Sequence, residues 1–167
     1  LMAERAFITV ANINQLLAAH LPTPSIGLLS IDIDGNDYWI FEALEVIAPR
    51  VIIAEYCSIF GPEKAMTQRY QEDFVSDQSW ANPKRPGLPS YGASLPALNK
   101  LAKRKGYRLV GCERHCFNAL FIRDGVGEGI FPEIEVSKCF SHPMVEYSIA
   151  AFGNRYDELD NEFWQEV

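Results

Sequence analysis

The chain of 167 residues is 48% hydrophobic, with a net charge of −7 and a sequence pI of about 5.0. That hydrophobic content can fill one core, which excludes a disordered segment. The acidic balance argues against sequence-independent nucleic-acid binding and against an anionic membrane surface. No apolar run approaches the roughly 20 residues that a spanning helix needs.

No basic-then-apolar leader opens the chain. Its four cysteines, Cys57, Cys112, Cys116 and Cys139, are too sparse for a disulfide framework. A cytoplasmic protein with reduced thiols is expected. The first residue is Leu1 rather than Met, so the expectation is a piece of a longer protein.

Taken in order, Ala6–Thr9 reads as a short strand. Thr9 can cap a helix running to Leu21, with Ile13, Leu16 and Leu17 inward, and Pro22 and Pro24 end it. The stretch Ser25–Glu55 organises the rest. An apolar run, Ile26–Ile33, contains Asp32 and leads into Asp34, and Gly35 breaks it. Asn36 and Asp37 can start a helix in which Ile40, Leu44 and Ile47 recur at helical spacing, and Pro49 stops it. A second apolar run, Val51–Ala54, ends in Glu55. A helix between two such strands predicts a parallel crossover, which would bring Asp34 and Glu55 together at the carboxyl ends of neighbouring strands. Open α/β sheets bind ligands at that edge.

Residues 57–92 hold Gly61-Pro62, Pro83, Pro86-Gly87, Pro89 and scattered aromatics, the pattern of an ordered lid or insertion. Ser94 then caps a helix with Pro96 in its first turn and Leu98, Leu101 and Ala102 inward. Lys100, Lys103, Arg104 and Lys105 crowd its end, a run read as complementing the helix dipole, and Gly106 stops it. Tyr107–Cys112 and Phe117–Arg123 form an antiparallel hairpin. Residues 124–143 read as loop, and Met144–Phe152 as a helix. The acidic tail carries Leu159, Phe163 and Trp164 at helical spacing. Residues 1–125 thus make one domain, and 126–167 an extension packing on it.

Several blocks in order, LLSIDIDGNDYWIFEAL, PRVIIAEY, FGPEKAMTQRY, YGASLPALNKLAKRKGYRLVG and FNALFIRDG, resemble the C-terminal half of FkbM-like S-adenosylmethionine-dependent methyltransferases. The resemblance covers about residues 5–125. It implies a partial Rossmann-like methyltransferase sheet in the α/β class, mostly parallel, closing with a helix and an antiparallel hairpin. It also implies S-adenosylmethionine as cofactor and methyl transfer, by expectation to oxygen of a small molecule or glycan. In that family a glycine loop after the first strand and an acid ending the second hold the cofactor. Here the first plausible strand corresponds to the third. The run Gly125-Val126-Gly127-Glu128-Gly129 comes after the hairpin and reads as loop. No cofactor-binding residue is assigned.

Asp32 and Asp34 alternate onto one face, and close carboxylates repel, which raises one pKa unless a cation intervenes. With Glu55 they can supply a general base toward a hydroxyl, hold Mg²⁺, or serve the backbone alone. Asp34 is the first candidate on the acceptor side, Glu55 the second and Asp32 the third. Asp37, Tyr38 and Asn118 are candidates for touching the acceptor, each with a structural alternative: helix start, core and backbone bonding. No metal ligand is assigned, and zinc at Cys57, Cys112, His115, Cys116 and His142 lacks a recognised spacing. Two other functions stay open. One is a haloacid-dehalogenase-like phosphatase, from the D-x-D-G string. The other is a non-catalytic α/β scaffold that forms a homo-oligomer through an open sheet edge.

Overall fold

The computed structural model describes residues 3–75, 92–152 and 163–167. Its centre is a four-stranded sheet in the order β1-β2-β5-β4, built from β1 (Leu28–Ile31), β2 (Val51–Glu55), β4 (Tyr107–Cys112) and β5 (Asn118–Arg123). The first two strands are parallel and in direct register, from Leu28 opposite Val51 to Ile31 opposite Ala54. The sheet is not mostly parallel, contrary to expectation. Both β2–β5 and β5–β4 are antiparallel. The short turn after β4 reverses the chain, and β5 then slots between β4 and β2, a pairing of strands far apart in sequence. In β2, burial alternates so that Ile52 and Ala54 enter the core.

Helix α1 spans Ile13–His20, three residues later than a Thr9 cap implies. The Thr9 carbonyl instead accepts from the amides of Asn12 and Ile13, and the Asn12 side chain closes back on the Thr9 amide at 2.8 Å. No strand forms over Ala6–Thr9. Helix α2 covers Asp37–Ala43 and stops well before Pro49. Its end is decided by partners distant in sequence. Asn14 donates to the Ala43 carbonyl at 2.7 Å and accepts from Glu45, while Lys105 Nζ donates to the carbonyls of Glu42 and Leu44. These contacts satisfy carbonyls that would otherwise favour another turn.

Helix α3 (Leu95–Arg104) follows its sequence pattern closely. Ser94 Oγ accepts from Ala97, and Gly106 (φ 79°) closes the far end by donating to the Lys103 carbonyl. Leu95, Leu98 and Leu101 are buried in the main core with Phe41, Leu109 and Phe121. The basic run is satisfied locally: Lys103 pairs with Glu133, Arg104 with Glu42, and Lys100 reaches the Val167 carbonyl.

A second, two-stranded sheet pairs β3 (Met66–Gln68) with β6 (Trp164–Glu166), antiparallel. The tail around Trp164 is therefore strand, not helix. Leu159 and much of the expected lid lie outside the described residues. Residues 136–140 form a short 3-10 turn, and α4 spans Pro143–Phe152. Cys139, Phe140 and Val145 belong to the same core as the main sheet. No helix among the described residues is long and apolar enough to cross a membrane.

Candidate functional site at the carboxyl edge of the parallel pair

The register of β1 on β2, carried one residue past Ile31, puts Asp32 level with Glu55. The chain then turns sharply. Asp34 takes a left-handed conformation (φ 55°), which Asp tolerates better than most residues. Gly35 follows where the Phe74 ring approaches so closely that a β-carbon would collide with it. The turn brings carboxylate oxygens of Asp32, Asp34 and Glu55 within 4.8 Å of one another. Asp32 is exposed, and Asp34 and Glu55 are half-buried.

Three neighbouring acids and partial burial act on Glu55 in the same direction. Desolvation raises its pKa most, followed by repulsion from Asp32, Asp37 and Asp34, and together they lift it from 4.5 to about 8. Glu55 is also fixed from the other side. It lies opposite Asn118 in the β2–β5 ladder, and the next amide, Tyr56, donates to the Phe117 carbonyl at 2.7 Å. Asn118 therefore sits at this edge, as a candidate for touching the acceptor should.

Asp37 lies beneath the same turn, and Tyr38 faces away from it. Asp37 is 1% exposed, and its two oxygens accept from the amides of Ile33 (2.9 Å) and Gly35 (2.8 Å). It braces the turn from beneath and has no face open to a substrate. Burial raises its pKa against the lowering effect of those amides. Tyr38 is buried, and its hydroxyl accepts from Arg104 at 3.0 Å on the α3 side. Both residues hold the scaffold.

Asn36, read from sequence only as a helix start, shapes the site's surroundings together with Gln68 and Phe74, which the sequence did not single out. Asn36 Nδ2 donates to the Gln71 carbonyl at 2.8 Å. The fully buried Gln68 accepts from Gly92 through its side chain, and its carbonyl accepts from Trp39 Nε1 at 2.8 Å. Phe74 lies over Gly35. The described part of residues 57–92 is thus tied across the turn. These contacts span some thirty residues, and no local pattern signals them. Beside the turn is a cavity of about 190 Å³ whose wall includes Phe7, Ile8, Phe74, and Ile33 and Asn36 on either side of Asp34. A larger cavity of about 250 Å³, walled by Phe41, Ile52, Lys105, Tyr107 and Arg123, lies by the start of β2, away from the carboxylates.

No family model, curated protein or solved structure matches the chain.

Proposed function

We propose that the carboxylate edge is the acceptor side of an S-adenosylmethionine-dependent methyltransferase that methylates a hydroxyl of a small molecule or glycan. The observation that carries this reading is the position of Glu55: a carboxylate with a pKa of about 8, grouped with Asp32 and Asp34 where two parallel strands end. A base of that pKa is matched to taking a hydroxyl proton near neutral pH. Further support comes from α3 and the hairpin after it, the ending that the family resemblance implies.

When bound, S-adenosylmethionine supplies a methyl group on a positively charged sulfur. The cluster suits such a neighbour, because three carboxylates offer compensating charge to a cation. Asn118 would orient the acceptor hydroxyl toward Glu55, and the Glu55 carboxylate would take the hydroxyl proton. Asp34 and Asp32 keep the Glu55 proton affinity high, so the proton is held until solvent removes it. The apolar wall of the 190 Å³ cavity seats the acceptor's non-reacting part.

Calorimetry with S-adenosylmethionine on the natural protein that carries this chain tests the reading. Binding is expected, together with transfer of labelled methyl to members of a panel of sugars and phenols. Glu55→Gln should lower that transfer by about 10²- to 10⁴-fold. Absence of cofactor binding in that protein would end the proposal. A second reading, favoured by the 4.8 Å grouping, gives the three acids to Mg²⁺, which takes carboxylate oxygens. In that case millimolar Mg²⁺ abolishes the Glu55 titration near pH 8; without effect on it, the cation reading fails.

A further inference from the structure

Three of the four cysteines converge at the turn end of the β4–β5 hairpin. None of the four is in a disulfide. Cys112 ends β4, and its Sγ lies 3.8 Å from Cys116 Sγ. Cys139 pairs with the same Cys112 thiol from the 3-10 turn behind it. The contact between Cys112 and Cys116 is made by the turn, not by the ladder, which sets Cys112 opposite Ala119. The Cys116 amide closes the turn on the Glu113 carbonyl at 3.0 Å, and Cys116 itself is left-handed (φ 63°).

We infer that Cys112 and Cys116 are a reversible thiol–disulfide pair that clips the hairpin turn shut. The sulfurs would close to about 2.0 Å; Cys116 lies in the turn, outside the β2–β5 ladder. Cys139 is the poorer partner. Cys116 and Cys139 are both buried in the main core, but the Cys139 carbonyl also accepts the Tyr56 hydroxyl at 2.7 Å from the 3-10 turn, whereas Cys116 lies in the turn that directly follows Cys112. Cys112 is half-buried, which leaves a small oxidant a route to its sulfur. Burial pushes its thiol pKa up, so oxidation is slow at neutral pH.

With hydrogen peroxide as oxidant, the Cys112 thiolate attacks one peroxide oxygen and the O–O bond breaks. Cys112 becomes a sulfenic acid, and the departing hydroxide takes a proton to become water. The Cys116 sulfur then attacks the sulfenic sulfur, the S–O bond breaks, and a second water leaves with the Cys116 proton. A dithiol returns two electrons and two protons to restore both thiols. This inference stands apart from the methyl-transfer reading.

The four cysteines lie on four different tryptic peptides, because Arg114 separates LVGCER from HCFNALFIR. The protein is treated with hydrogen peroxide, the oxidant is removed, and the remaining thiols are alkylated as the protein is unfolded at low pH; it is then digested and mapped by mass spectrometry. The expected product is LVGCER joined to HCFNALFIR, lighter than the sum by two hydrogens and separated again by dithiothreitol. Linkage of LVGCER to the Cys139 peptide, or full alkylation of both partners after excess oxidant, would overturn the inference. So would a 112–116 link that dithiothreitol fails to release from the folded protein. Cys116→Ser should leave LVGCER unlinked, with Cys112 recovered as the sulfenic acid or a higher oxide after the same treatment; a new link to Cys139 in that variant counts against the assigned pairing.

Discussion

At the residue scale, Glu55 makes the site sensitive to pH, and the sign follows from its proton affinity. Its folded pKa of about 8 lies above the ordinary 4.5, so between those values the folded state keeps a proton that the unfolded state has released. Stability from this group is fully present below pH 4.5 and is lost as pH rises toward 8. The full shift overstates the effect for a half-buried carboxylate, and a loss of roughly 1–2 kcal/mol is expected after allowing for solvent screening. Urea unfolding at pH 5 and pH 8.5 should show that loss, and Glu55→Gln should reduce it. The rate of methyl transfer should move the opposite way, rising with pH toward a plateau above about 8, because the base must be ionised. Asp37→Ala is a structural test beside it. Removing that carboxylate leaves the Ile33 and Gly35 amides unmatched, and a loss of about 2–4 kcal/mol by denaturant titration is expected. Asp34 and Glu55 could be read as partners because each follows an apolar strand, and strand order placed both at one edge. That Asp37 serves the backbone could not be read, since a buried and an exposed acid look alike in sequence.

At the element scale, α3 shows how far local signals carry. Ser94, Pro96 and Gly106 mark its ends, and the structure keeps all three marks. Ser94 also does something its position does not announce: its Oγ accepts from the Met66 amide at 2.9 Å, joining the cap to β3. Ser94→Ala is expected to cost about 1–2 kcal/mol in thermal or chemical unfolding, the range for losing a cap. Amide exchange at Met66 should quicken in the same variant. Helix α2 is the contrast. Its apolar spacing continues to Ile47, yet Asn14 and Lys105 take over its last carbonyls and end it near Ala43. Arg108 is another residue that composition passes over. It is 8% exposed and donates to the carbonyls of Phe131, Arg123 and Val126, which ties the loop after β5 to the sheet. Arg108→Lys keeps the charge but not the fork, and should lose about 1–3 kcal/mol.

At the scale of the whole molecule, the two ends of the described chain lean on its middle. Phe163 and Trp164 pack with Ile59 and Phe60 in a small cluster of their own, and the Arg69 amide donates to the Phe163 carbonyl at 2.7 Å. Removing residues 163–167 takes away the partner strand of β3 and one wall of that cluster. Faster hydrogen exchange at Arg69 is expected, with exchange in β2 and β5 little changed. The amino-acid sequence by itself determined the strand–turn–helix–strand unit, its two acidic ends, the capped helix and the hairpin, because each is written in neighbouring residues: alternation, caps and turn formers. Tertiary structure alone decided that β5 enters beside β2 and makes the sheet mixed, that the tail is a strand on β3, and that burial among three other acids raises the pKa of Glu55. Those outcomes depend on which surfaces meet across about twenty to a hundred residues, and pairing, desolvation and charge repulsion exist only once they have met.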